Sequence, residues 1–345
     1  MYKKVLTLDE FTIQQLRLFP HATGELSALL RDIGLAAKRI YAEVSRAGIA
    51  DILGATGDTN IQGEEVQQLD LFANNQLIAV LRHGMSCAGI ASEEMEDMVA
   101  FDDAVNNNSK YVVMFDPLDG SSNIDINIPT GTIFGIYRRI SSPGAPCILT
   151  DFLQPGYRQV AAGYVIYGPS AMLVYATRRG VNGFTLDPAI GEFCLSHPNM
   201  VCPENGSTYS INQGYFFQYT SAVQQYLAFC QQGAKKSVGY SQRYVGSMVA
   251  DVHRTLLKGG IFLYPATAAK PKGKLRLMYE CNPLAFILTV AGGKATNGAA
   301  SILHLLPASL HEVTPVYMGS ANMVSALQGF FSASGEICRQ EVLIS

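Results

Sequence analysis

The run Phe115-Asp116-Pro117-Leu118-Asp119-Gly120-Ser121-Ser122 sets two carboxylates and three small residues at the end of an apolar, strand-like stretch, residues 111–114. Carboxylate oxygens suit hard divalent cations. The N–H groups of a small-residue turn suit a phosphate. One short segment offers both, although an exposed proline turn would use the same residues without any chemistry. More acids lie elsewhere. Glu93 and Glu94 end a small-residue strand that starts at Cys87, with Glu96 and Asp97 close behind. Adjacent carboxylates repel, and either solvent or a cation explains them. Glu280 ends a strand expected over 275–279. If the sheets align these strand ends, Glu93, Asp116, Asp119 and Glu280 meet at one edge. Such an all-oxygen site selects Mg²⁺ or Mn²⁺. Two or three ions about 3.5–4 Å apart could bind a phosphate ester there and activate a water for in-line attack. Asn212, Tyr215, Arg243, Tyr244, Tyr264 and Lys274 suggest a second phosphate pole. Each of these, taken singly, is equally explained by ordinary packing or solvation.

The elements that must position these groups follow from pattern. Residues 23–48 read as a helix with Thr23 as N-cap, Leu26, Leu29, Leu30, Ile33, Ala37, Ile40 and Val44 on one face, and Gly48 as the stop. The glycine-rich segment 54–60 lacks periodicity and reads as a loop. Glu64 opens a second helix that carries Asp70, where a carboxylate is ordinarily a solvated charge. Residues 131–137 read as a strand, and 160–167 with 171–177 as a hairpin. Further on, 209–211 and 261–264 are expected strands, while 221–232 and 247–258 are expected helices, the latter capped by Ser247. Asn282-Pro283 opens a helix that Gly292-Gly293 ends. Strands alternate with helices, but hairpins intrude, so a layered α/β fold with mixed sheets is expected.

Composition narrows the function classes. The chain has 345 residues, 48% hydrophobic and 15% charged, enough for two domains, divided here at 196/197. A net charge of −3 gives no footprint for nucleic acid or an anionic membrane. The 7 cysteines form no CxxC pair and read as free thiols in a reducing, cytoplasmic setting. No signal peptide or membrane-length apolar run is expected. Nucleotide P-loop, dinucleotide, zinc-protease and serine-hydrolase motifs are missing.

Longer motifs carry a resemblance. Asp116-Pro117-Leu118-Asp119-Gly120-Ser121-Ser122 looks like the signature of the metal-dependent, lithium-sensitive sugar and inositol phosphatases. Lys110-Tyr111-Val112-Val113, Gly131-Thr132-Ile133-Phe134-Gly135-Ile136-Tyr137, Ala161-Ala162-Gly163-Tyr164 and the run from Arg243 to Arg254 narrow it further. So do Gly259-Gly260-Ile261-Phe262-Leu263-Tyr264-Pro265, Pro271-Lys272-Gly273-Lys274-Leu275-Arg276 and Tyr279-Glu280-Cys281-Asn282-Pro283. Together they resemble class I fructose-1,6-bisphosphatase over nearly the whole chain. Inositol monophosphatases share the aspartate motif but not the second-half motifs.

That resemblance implies a sugar phosphatase fold, α/β (α+β), layered α-β-α-β-α with mixed sheets. It implies an N-terminal domain, 1–196, and a C-terminal sugar-phosphate-binding domain, 197–345. The implied activity is Mg²⁺-dependent hydrolysis of D-fructose 1,6-bisphosphate to fructose 6-phosphate and phosphate, as in gluconeogenesis. The alternatives are a sedoheptulose 1,7-bisphosphatase, a dual-specificity enzyme, or a silent nucleotide-sensing homologue. By resemblance, Glu93, Asp116, Asp119, Glu280 and the Leu118 carbonyl hold two to three Mg²⁺ ions, Mn²⁺ being the alternative. Glu64 serves the third metal, where animal enzymes have aspartate. Asp70 and Glu94 orient and deprotonate the attacking water. Gly120, Ser121 and Ser122 hold the 1-phosphate. Asn212, Tyr215, Tyr244, Tyr264 and Lys274 hold the 6-phosphate, Ser247 and Met248 contact the sugar, and Arg243 reaches a neighbouring subunit's site. That last role implies a homo-oligomer, expected to be a homotetramer. The 49–68 segment corresponds to a loop that closes over the metals. Thr23, Gly24, Glu25, Leu26, Ser27, Lys110, Tyr111 and Arg138 match an AMP effector site, although 14–22 with Pro20 departs from the animal pattern. Only Cys147 lies where the chloroplast form carries its redox insertion, so thiol regulation is not expected.

Overall fold

The computed structural model describes residues 5–17, 23–46, 55–59, 65–232 and 239–335. Glu64, Gly48 and Cys338 lie outside the described residues. The N-terminal half contains α1 (Leu8–Leu16), α2 (Glu25–Val44), β1 (Ala55–Thr59), β2 (Glu65–Gln67), α3 (Gln68–His83), β3 (Gly89–Ser92) and β4 (Val99–Ala100). Then come β5 (Tyr111–Asp119), β6 (Thr130–Arg138), β7 (Gln159–Tyr167), β8 (Ala171–Thr177), β9 (Gly180–Asp187) and β10 (Glu192–His197). The C-terminal half has β11 (Thr208–Ser210), α4 (Ser221–Gln232), β12 (Ser241–Gln242), α5 (Met248–Lys258), β13 (Ile261–Tyr264), β14 (Leu275–Arg276) and α6 (Asn282–Val290). It closes with β15 (Lys294–Thr296), β16 (Val313–Thr314), β17 (Val316–Gly319) and α7 (Ala321–Ser334).

An 8-stranded sheet runs β10-β9-β8-β7-β6-β5-β3-β4, and a 5-stranded sheet runs β12-β11-β13-β17-β15. Both are mixed: β3 pairs parallel with β5, and β11 parallel with β13, while β5–β6 and β13–β17 are antiparallel. The central strands read as continuous apolar runs because both faces are covered. Phe134, Ile136, Val165 and Leu173 pack beneath α2 and α3, while Ile133, Tyr164 and Val174 pack on the opposite face with α5 and α6. Residues of α6 are apolar all round, and Leu284, Ala285, Ile287 and Leu288 are wholly buried between the two sheets. Helices α4 and α7 cover the far face of the smaller sheet. The order of layers is therefore α-β-α-β-α, as the resemblance implied.

Several local expectations change. The N-cap of α2 is Gly24 at φ +84, not Thr23. Thr23 Oγ1 instead donates to Glu25 Oε1 at 3.3 Å and accepts from Lys110 Nζ at 3.1 Å. The glycine-rich segment contains β1, which pairs with β2. Helix α3 starts at Gln68, where Asp70 caps it by accepting from the Gln67 N–H at 2.9 Å. The strand expected over 275–279 stops at Arg276, and Leu277–Cys281 forms a π-helical turn that leads into α6. Cys281 replaces Asn282 as N-cap, and Pro283 falls in the first turn. Ser247 sits at the N-cap position of α5 but its side chain makes no capping bond; its hydroxyl turns away to donate to Asp119.

Candidate active site

The two aspartates of β5 reach one side through a defect in the strand. In a regular strand, residues three apart point to opposite faces. Here Asp116 pairs with Ile133 and Asp119 with Gly131, so β5 carries one extra residue over this interval. Pro117 lacks an N–H and sits inside the bulge. Its carbonyl accepts from Thr132 Oγ1 at 2.8 Å, and the Leu118 N–H donates to Asp116 Oδ1 at 2.9 Å. Gly120 then takes φ +76, and Ser121–Ile126 winds into a 3₁₀ turn. A side chain at 120 would meet Ser247 Cβ at 2.8 Å, so this position accepts only glycine without a shift.

Asp116, Asp119 and Glu280 place carboxylate oxygens within 4.8 Å of one another, and all three are buried. Glu280 arrives from the π-helical turn, a distortion often found at functional sites. Its Oε2 accepts from the Arg276 N–H at 2.5 Å. Glu93 follows β3, and its Oε1 pairs with Arg276 Nη2 at 2.9 Å. Asp119 Oδ2 accepts from the Val249 N–H at 2.8 Å and Ser247 Oγ at 3.0 Å, which ties the cluster to the start of α5.

Burial, then repulsion from Glu93, Asp119 and Glu280, pushes the Asp116 carboxyl well above its usual range. Glu280 is pushed the same way by burial and by Glu93. Asp119 rises to about 6, with burial raising it and the Val249 and Ser247 hydrogen bonds opposing. A raised carboxyl means that the folded protein binds protons that the unfolded chain has lost. Stability from this group is then present at low pH and disappears as pH rises through about 6. In EDTA, parent protein should gain stability relative to Asp119→Asn as pH falls from about 7.5 to about 5. Urea unfolding of both proteins at the two pH values measures it, and parallel behaviour would refute it. The difference between the two proteins cancels His253, whose pKa is lowered to about 4 by burial and acts in the opposite sense.

These carboxylates fit a divalent cation: they form an all-oxygen donor set, packed where their own repulsion disfavours the ionised form. Around them is a cavity of about 380 Å³. It collects Asp70, Glu93, Glu94, Asp116, Leu118, Asp119, Gly120, Ser121, Ser122, Tyr244, Met248, Tyr264, Lys274 and Glu280. Asp70 is 3% exposed, so it is no solvated surface charge. Tyr264 and Lys274 also line an adjoining cavity of about 410 Å³ with Asn212 and Tyr215. Burial, then the neighbouring Tyr264 hydroxyl, pushes Tyr244 up to about 12, so it serves as a hydrogen-bonding phenol. Arg243 is exposed and lines neither cavity. Ser247 lies fully buried behind the wall, holding Asp119.

Arg276 was missed by sequence reasoning. It is 4% exposed and bridges Glu93 and the Glu280 turn. The available signal was a charged residue within the apolar stretch 275–279, a position that only a buried partner explains.

A third cavity, about 630 Å³, lies at the opposite end of β5 and β6. It gathers Thr23, Gly24, Glu25, Leu26, Ser27, Lys110, Tyr111 and Arg138, with Arg178 and Arg179 at its edge. Lys110 pairs with Glu25 at 3.1 Å. Among the described residues Cys87, Cys147, Cys194, Cys202, Cys230 and Cys281 are free thiols, and burial pushes Cys147 up to about 11. Such a thiol is a poor nucleophile. No helix among the described residues is long and apolar enough to cross a membrane.

Comparison with known proteins adds to this geometry. Residues 6–198 match the family model for the fructose-1,6-bisphosphatase N-terminal domain, and residues 202–332 match the C-terminal domain model. The crystal structure of Leishmania major fructose-1,6-bisphosphatase in holo form is similar at 37% identity and a TM-score of 0.89, over 96% of this chain and 100% of that one. The apo form of that enzyme is similar at 37% identity and a TM-score of 0.84, over 95% of this chain and 100% of that one.

Proposed function

Because the chain belongs to the fructose-1,6-bisphosphatase family, a family of metal-dependent phosphatases, we propose that it hydrolyses D-fructose 1,6-bisphosphate to fructose 6-phosphate and phosphate with Mg²⁺, in gluconeogenesis. The observation that carries this is a pair of joined cavities. One holds buried carboxylates beside the Gly120-Ser121-Ser122 turn, and the other holds Asn212 and Tyr215, with Tyr264 and Lys274 in both walls. Two phosphates on one sugar need two such poles.

In this reading Glu93, Asp116, Asp119, Glu280 and the Leu118 carbonyl hold the ions, and Glu64 is assigned to a third ion by resemblance alone. The ions, when bound, supply positive charge beside the phosphate oxygens and lower the pKa of nearby water. The N–H groups and hydroxyls of Gly120, Ser121 and Ser122 hold the 1-phosphate. Asp70 and Glu94 together orient the attacking water and take its proton. Capping α3 fixes the Asp70 side chain through its Oδ2 contact with the Gln67 N–H. Asn212, Tyr215, Tyr244, Tyr264 and Lys274 hold the 6-phosphate, and Met248 meets the sugar, while the buried Ser247 acts only through Asp119.

Other assignments belong to the same reading. The chain divides into two domains near 196/197, in keeping with the two family matches. It works in the cytoplasm as a homotetramer, in which the exposed Arg243 completes a neighbour's site. AMP acts at the cavity of Thr23, Lys110, Tyr111 and Arg138, where its phosphate meets the N-terminus of α2.

Phosphate release from fructose 1,6-bisphosphate, sedoheptulose 1,7-bisphosphate and inositol monophosphate tests the function. The fructose ester is expected to be cleaved fastest, with Mg²⁺ required and AMP inhibitory. Release that persists in EDTA would defeat the metal mechanism, and no release from any ester would defeat the function.

A further inference from the structure

The loop from Arg243 to Ser247 is gripped by two side chains of α5 that do not themselves line the active-site cavity. Asp251, wholly buried, accepts from the Val245 N–H at 2.9 Å and the Gly246 N–H at 3.4 Å through Oδ2. Its Oδ1 pairs with Arg254 Nη1 at 3.1 Å. Arg254 Nη2 in turn donates to the Arg243 carbonyl at 3.0 Å. From the other side, Asn123 Nδ2 donates to the Gly246 carbonyl at 3.1 Å. Gly246 sits at φ +86, a conformation that peptide-by-peptide restraint keeps in place.

Asp251 is buried and Arg254 partly exposed, and such a pair is a weak source of stability, since desolvation of the carboxylate offsets the attraction. Burial indeed raises the Asp251 carboxyl above its usual range. What the pair supplies is position. Tyr244 and Gly246 enter the cavity from this loop. One turn earlier, the same helix holds Asp119 through Ser247 and the Val249 N–H. Helix α5 therefore sets the distance between the reacting end of the site and the residues that grip the far end of the substrate.

We propose that Asp251 and Arg254 are positioning residues for the bisphosphate: they hold the 243–247 loop so that Tyr244 meets the phosphate that is not cleaved. This rests on the fructose-bisphosphatase reading above. Displacement of a binding group by about 1 Å costs up to 10²-fold, and here the loss should fall on recognition of the distal phosphate.

The test is steady-state kinetics of parent and Arg254→Met with fructose 1,6-bisphosphate and with fructose 1-phosphate, which lacks the distal group. For the bisphosphate, KM should rise about tenfold with kcat within about threefold. For fructose 1-phosphate, kcat/KM should stay within about twofold. Arg254→Lys, which can restore one contact, should recover part of the KM. Asp251→Asn keeps an acceptor for the Val245 N–H and should fall between Arg254→Met and parent. Unchanged KM in Arg254→Met, or equal losses on both esters, would overturn the positioning role while leaving the function intact. A parent enzyme that cleaves neither ester would instead overturn the functional reading, and this inference with it.

Discussion

Asp119→Ala should lower kcat/KM for fructose 1,6-bisphosphate by about 10³-fold or more while the protein stays folded. A metal ion at a phosphoryl group contributes several kcal/mol of transition-state stabilisation, and each 1.36 kcal/mol is tenfold in rate. Asp119 is one of three carboxylates within 4.8 Å, and the lost oxygen has no substitute at that point of the bulge. The fold survives because two effects oppose each other. Removing the carboxylate leaves the Val249 N–H and Ser247 hydroxyl without their acceptor, at about 1–3 kcal/mol. It also relieves repulsion among buried acids that holds Asp116 and Glu280 above their usual range. Circular dichroism and thermal unfolding in EDTA should resemble parent. Mg²⁺ should raise the melting temperature of parent far more than that of the variant, by mass action on the folded state. Equal turnover would remove Asp119 from the site, and a collapsed fold would show that the carboxylate is structural.

Asp70→Asn should lower kcat by about 10²–10⁴-fold, the range for loss of a positioned general base. Asparagine keeps an oxygen to accept from the Gln67 N–H, so the start of α3 should remain formed. KM should change little, because a base that acts on water does not grip the sugar. The low-pH limb of the kcat profile should vanish in the variant. A variant with parent kcat would assign Asp70 to capping alone.

The contrast between these two residues shows how much was legible beforehand. Asp119 lies in a motif whose neighbours advertise its chemistry, since two acids and a glycine-serine turn at a strand end suggest a cation and a phosphate together. Asp70 has no such neighbours. Hydrophobic periodicity made it an ordinary acid on a helix, and only the family resemblance pointed to water activation. Its 3% exposure and its place in the same cavity as Glu93 and Glu94 now support that role. Pattern alone puts Glu280 at a strand end, whereas a π-helical turn delivers it. Periodicity misses a single wide turn because Leu277, Met278, Tyr279 and Cys281, the four apolar or aromatic residues around Glu280, fit either geometry. Thr23 and Ser247 both have the right residue type for a cap, yet each spends its hydroxyl on a distant partner. Local propensity cannot register a competitor that arrives from another part of the chain.

What the sequence by itself determined are the local chemistries. The Asp116–Asp119 motif, the Gly120 turn, the apolar strands around them and the family all follow from residues close together along the chain. Tertiary structure decided what those chemistries are joined to. The one-residue bulge turns Asp116 and Asp119 to the same side, and Glu280 closes the cluster from far downstream. Arg276 fills the space between Glu93 and that turn, and α5 locks Asp119 and the 243–247 loop to a single helix. Each of these is a distance between segments remote in sequence. Such distances are set by how buried surfaces pack, and no residue type encodes them alone.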